Sequence, residues 1–214
     1  MTRARNCLRS LAYLTVMLGF GFARAGSYED FFEAIARDDP VTINQLIQRG
    51  FDPSSRDPKG QTALFVALRA QSFKAAEALL AGPQPDINAL NETGESALMM
   101  AALKGQLDWV KRLLEHGAQV NKPGWTPLHY AATGPNPAVV QLLLDRGAEI
   151  NAESPNRTTP LMMAARYGNE ASVDLLLARG ADPQRRNDLG LSVADFARDG
   201  QRPALATKLT KLLR

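Results

Sequence analysis

The strongest constraint on this chain is a pair of short blocks that keeps returning at a fixed distance. The block Thr126-Pro127-Leu128-His129-Tyr130-Ala131-Ala132 recurs as Thr159-Pro160-Leu161-Met162-Met163-Ala164-Ala165. Weaker copies are Ser96-Ala97-Leu98-Met99-Met100-Ala101-Ala102 and Thr62-Ala63-Leu64-Phe65-Val66-Ala67-Leu68. A second block follows, seen most clearly as Leu113-Leu114-Glu115-His116-Gly117-Ala118, Leu143-Leu144-Asp145-Arg146-Gly147-Ala148 and Leu176-Leu177-Ala178-Arg179-Gly180-Ala181. The apolar residue at the third position of the first block falls at Phe31, Leu64, Leu98, Leu128, Leu161 and Ala194, with spacings of 33, 34, 30, 33 and 33. The long spacing holds a one-residue insertion in Gly82-Pro83-Gln84-Pro85, and the short one a three-residue deletion around Lys122-Pro123. A fixed period of this length means units that cannot bury an apolar face alone and must stack to make a core.

Each unit reads as helix, turn, helix, long loop. Thr126 suits an N-cap, and Pro127 suits the first helical position, where its missing N–H is not needed. Leu128, Ala131 and Ala132 then share one face at i, i+3 and i+4. Paired alanines keep that helix thin, so neighbouring units can approach closely. Gly105 and Gly168 are expected to end first helices in the left-handed conformation. Val110, Leu113 and Leu114 form the apolar stripe of a second helix, as do Val140, Leu143 and Leu144. Gly117, Gly147 and Gly180 terminate these.

Two blocks, one period and several copies resemble the ankyrin repeat, from about Tyr28 to Arg214. The resemblance implies an all-α solenoid of about six stacked helix-turn-helix units with finger loops. The units are expected near 28–58, 59–91, 92–121, 122–154, 155–187 and 188–214 of a repeat domain covering 26–214. The ends depart from the pattern as caps should. The first unit, with Phe31, Ile35, Ile43 and Leu46, lacks the Thr-Pro start. The last closes on Leu205, Leu209, Leu212 and Leu213, with Lys208, Lys211 and Arg214 expected to face water.

Residues 1–25 read as a secretory signal peptide. Arg3, Arg5 and Arg9 precede an apolar run from Leu11, and Ala23-Arg24-Ala25 offers a small-x-small cleavage site before Gly26. The run is about 12 residues, short of the ~20 that span a bilayer. Cleavage would remove four arginines and no acid, turning 25 basic and 22 acidic residues into 21 and 22. The mature charge of −1 then gives no basic face for nucleic acid. The single cysteine, Cys7, would leave with the leader, so neither a disulfide nor a cysteine zinc site is expected. These readings predict an exported, periplasmic or secreted monomer without stable membrane insertion.

The chain carries only two histidines, and no nucleophile triad, phosphate loop or zinc-binding helix motif is present. The resemblance implies that His129 bridges backbone groups between units, while His116 reads as a surface-loop residue. Met99-Met100 and Met162-Met163 occupy first-helix positions and read as core filler. Asn91-Glu92-Thr93 and Asn156-Arg157-Thr158 match the glycosylation sequon, a weak signal. No enzyme activity, cofactor or metal is expected.

The family's ligands lie in a concave groove between finger loops and the exposed ends of the first helices. Carried onto this chain, the partner-binding positions are Arg69, Glu95, Leu103, Lys104, Trp125, Thr158, Arg166 and Tyr167. Tyr, Trp and Arg are the types that dominate binding hot spots. Trp109, on a second helix beside Val110, is expected to pack. The implied function is non-catalytic binding of another protein. Two alternatives stand beside it: an accessory factor of an exported stress-defence enzyme, and a secreted effector acting on a host protein.

Overall fold

The computed structural model describes residues 26–83 and 86–213, so the leader expected at 1–25 and its expected cleavage site lie outside the described residues. Twelve helices carry the described chain. They form six pairs: α1 (26–36) with α2 (Pro40–Gln48), α3 (Ala63–Ala70) with α4 (Phe73–Ala81), and α5 (Ala97–Leu103) with α6 (Leu107–Glu115). Next come α7 (Pro127–Thr133) with α8 (Pro137–Asp145), α9 (Pro160–Tyr167) with α10 (Glu170–Ala178), and α11 (Val193–Asp199) with α12 (Pro203–Leu212). The first helices of successive pairs pack on one another in the order α3, α5, α7, α9, α11, and each also packs on its own second helix. This is the all-α solenoid that the period demanded.

The local reasons are those of the sequence. Thr62, Ser96, Thr159 and Ser192 sit in extended backbone, and each side-chain oxygen accepts from the amide three residues on. Pro127 and Pro160 open their helices. Ala101, Ala102, Ala131, Ala132, Ala164 and Ala165 are wholly buried, which lets first helices touch nearly backbone to backbone. The methionines behave as filler: Met99 and Met162 are buried.

Gly105 is left-handed, with φ at 69°. Gly168 is not, and the expectation for it is corrected: its φ is −84° and ψ −178°, extended backbone open to any residue. Glycine is needed there for another reason. A Cβ would fall inside the van der Waals shell of the Ala132 carbonyl oxygen and 2.9 Å from Ala164 Cα. One cap detail differs from expectation: Leu212 is exposed rather than closing the end. Lys208 is exposed, as expected, and pairs at the surface with Asp174 at 2.6 Å on α10.

Polar ties sew neighbouring pairs together. Asn88 Oδ1 accepts from the Gln119 amide while its Nδ2 donates to the Gly117 carbonyl. Asn121 repeats both bonds with Glu149 and Gly147, and Asn151 accepts from Asp182. At the other end of the pairs, side chains cap the preceding first helix, whose last carbonyls lack intrahelical donors. Gln106 Nε2 donates to Leu68 O, Asn136 Nδ2 to Gly105 O, and Arg202 Nη1 to the carbonyls of Ala164, Ala165 and Gly168.

One junction is built differently. Between the second and third pairs, a cavity of about 210 Å³ is lined by Thr62, Ala63, Leu64, Ile87 and Ala97 among others. Ala63 and Ala97 stand where Pro127 and Pro160 stand in later units, so ring atoms that could fill that space are missing. Across the same junction Phe73 of α4 stacks on Trp109 of α6, ring centroids 5.9 Å apart. Arg112 lies over the Trp109 indole at 5.1 Å and holds Glu77 through both guanidinium nitrogens. Trp109 thus packs, as expected, and does so between pairs.

Candidate functional site

The finger loops and the first helices meet at a corner, and the expected binding positions can be followed along it. Arg69, near the end of α3, is half-buried, with its guanidinium 6.0 Å from the Phe65 ring centroid. Leu103 is half-buried against the core, and Lys104 is exposed at the C-cap of α5. Trp125 is half-buried, its ring edge-on to His129 at 5.2 Å. Behind it Lys122 Nζ donates to the carbonyls of Pro123 and Trp125. Arg166 pairs with Asp199 at 2.5 Å and stacks over Tyr167 at 4.7 Å. Tyr167 itself is 54 % exposed, an aromatic side chain presented to solvent on a helix end.

Thr158 does not belong to this set. It is 2 % exposed, and its amide donates to Ser154 Oγ at 3.0 Å. Its carbonyl accepts from His129 Nε2 at 2.9 Å, so the finger has closed over it. The Asn91 sequon fails for a similar reason: Asn91 is buried and its Nδ2 donates to Glu95.

His129 performs the bridging that the resemblance implied. Its Nδ1 accepts from the Thr126 amide at 3.2 Å, which leaves Nε2–H to reach the next unit. Burial pushes its pKa down to about 4, against hydrogen bonding to Thr158 and Ala152 that favours the charged form. The ring is therefore neutral near pH 7. His116 is exposed at the C-cap of α6.

Glu95 is the centre of the corner. Its carboxylate accepts from Asn91 Nδ2 at 2.9 Å and Thr93 Oγ1 at 2.8 Å on one oxygen, and from Tyr130 OH at 2.8 Å on the other. Burial opposes its charge, but these three donors and the nearby Arg69 outweigh that and hold its pKa below the ordinary glutamate value. Tyr130 is the converse: burial and the adjacent carboxylate raise its pKa. Tyr130 was missed in the sequence because it follows His129 inside the repeated block. Its signal was its register, two residues past the buried Leu128 and so turned toward the fingers.

Among the described residues no group of three or more His, Cys, Asp or Glu side chains could hold a metal ion. No described helix is long and apolar enough to cross a membrane.

A family model described as ankyrin repeats (three copies) matches residues 31–123 and 120–187. The chain belongs to the ankyrin-repeat family. Among its relatives, the rat ankyrin repeat and SAM domain-containing protein 6 is 33 % identical over 111 residues, half of this chain and 12 % of that protein. The mouse B-cell lymphoma 3 protein homolog is 34 % identical over 121 residues, 53 % of this chain and 27 % of the relative. The chain thus spans a small part of these proteins. A fuller match is a chain from the solved complex of the Bd0816 predatory endopeptidase from Bdellovibrio bacteriovorus with immunity protein Bd3460. It is 27 % identical with a TM-score of 0.72, covering 85 % of this chain and 97 % of that one. Ankyrin repeats imply protein–protein interaction, and that coarse function holds here.

Proposed function

We propose that this ankyrin-repeat protein is exported and binds one protein partner, without catalysis, at the corner between its finger loops and first helices. The observation that carries the reading is the likeness to the chain from the endopeptidase–immunity complex, which extends over nearly all of that chain. Exposed Tyr167, Arg166 stacked over it and half-buried Trp125 supply the residue types that dominate interfaces. The packed first helices are already ordered, so a partner would bind with little ordering cost. The same likeness favours one partner class in particular: an exported peptidase whose activity the chain restrains, an immunity-type role.

A photo-crosslinker at Tyr167, with a control at Lys111 on α6, tests the surface in cells exporting the protein. A band specific to position 167 is expected, and the captured protein is expected to be a secreted hydrolase. Equal bands at both positions, or none, would overturn the assignment of this face. The intact mass of the exported chain should begin at Gly26; a mass retaining the leader would replace cleavage by anchoring.

A further inference from the structure

We infer that the corner around Glu95 is a seat for a basic side chain, lysine or arginine, of the protein partner. This rests on the protein-binding reading above and gives it a chemistry.

Glu95 is a half-buried carboxylate with no ion-pair partner among the described residues. The salt bridges of the described chain join other groups, and no cation lies within bonding reach of Glu95. The three donors that hold it, Asn91, Thr93 and Tyr130, are all neutral. A carboxylate offers about four acceptor positions and three are used here, so capacity for another donor remains. The local cations are otherwise engaged. Lys122 donates to two backbone carbonyls, and Arg69 leans toward the Phe65 ring. The negative charge is therefore carried into the site at a desolvation cost and offset only at a distance by Arg69, without a direct ion pair, an arrangement that a partner's cation would complete.

The surroundings suit such a group. Tyr130 reaches from α7 back to Glu95 on the preceding finger, so the carboxylate is joined to the helix that follows Trp125. Trp125 occupies the same register as Glu95 on the neighbouring finger, and the intervening loop is the shortened one. Aromatic faces attract ammonium and guanidinium groups, Trp most strongly, so half-buried Trp125 on the next finger is a second group suited to a cation.

The protein contains two tryptophans, and Trp109 is buried between helices, so the Trp125 indole N–H is an isolated reporter in NMR. The mature chain is titrated with a tetra-arginine peptide, with tetra-citrulline as the neutral control of matching shape. Saturable movement of the Trp125 resonance with tetra-arginine alone is expected, weakening as salt is raised. Glu95→Gln, which keeps an acceptor for Tyr130 but sets an amide donor against Asn91 Nδ2, should lose affinity at least tenfold at a temperature where its circular dichroism shows it still folded. Glu92→Gln, an exposed charge on the same finger, should leave binding as it was. A response to citrulline equal to that to arginine, no response, or equal losses in both variants would overturn the seat. If crosslinking at Tyr167 still captures a partner, only the cation seat falls; if that also fails, the binding face itself is wrong.

Discussion

Two junctions in this solenoid solve the same problem by different means. Between the fourth and fifth pairs, contact is made at the level of the backbone. His129 donates to the Thr158 carbonyl, and Gly168 lies so close to the Ala132 carbonyl that no side chain fits. Between the second and third pairs, side chains span the gap. Phe73 stacks on Trp109, Arg112 forks onto Glu77, and a cavity remains near the helix starts. The difference teaches that a repeat tolerates an insertion, here after α4, when large adaptable side chains replace close approach. The tight junction has less latitude: side chains such as Arg179 and Asp145 also pair across it, but the approach of Gly168 to Ala132 is set by backbone atoms that cannot change rotamer.

The comparison can be broken most severely at its tight end. Gly168→Ala forces a methyl against backbone on both sides, and relief requires the fourth and fifth pairs to part. A loss of about 4 kcal/mol is expected, beyond the usual range for one added methylene. For a chain of this size that lowers the melting temperature by about 10 °C. Circular dichroism melts would show it, and a melt within 2–3 °C of wild type (about 1 kcal/mol) would mean the close approach is not obligatory.

The second test is pH. His129 has a folded pKa near 4 against an ordinary value of 6.5. Its folded value is depressed, so the unfolded chain takes up the proton first as pH falls. The contribution to stability is full above 6.5, shrinks between 6.5 and 4, and levels off below that. The span amounts to roughly 3 kcal/mol. His129→Gln removes the titration while leaving an amide that can accept and donate. The stability gap between wild type and this variant should narrow steadily from pH 7 to pH 4, and a constant gap would contradict the assignment. Other groups titrate alike in both proteins and cancel.

The loose end of the comparison can be tightened. Ala97→Pro places a ring at the first position of α5, beside the cavity, where Pro127 and Pro160 already sit in later units. Ser96 has φ −100° and ψ 166°, the extended backbone a following proline requires. A gain of about 0.5 kcal/mol is expected, through restriction of the unfolded chain. A loss would show that the Ala97 amide or the cavity serves some other need.

Much of the fold was legible because period, cap and glycine signals repeat and check one another. The opening prolines and the alanine seam followed from local chemistry, and the His129 bridge from the family resemblance. Gly168 was misread because a glycine that ends a helix and one that lets another backbone approach look alike in one dimension. Thr158 was misassigned for a related reason: register placed it on a finger, but burial depends on how that finger folds over its neighbour. The cap that Arg202 makes and the link between Tyr130 and Glu95 join residues 34 to 38 apart and lie outside any local pattern.

The asparagine ties have a consequence for how such a chain can change length. Each is a single residue that holds one loop and reaches for the next, so donor and acceptor travel together in the copied segment. A duplicated or deleted unit leaves new neighbours already equipped to join, with no second substitution required. Growth and loss of whole units are then easier than change within one. Asn88, Asn121 and Asn151 make this solenoid a sequence of interchangeable links.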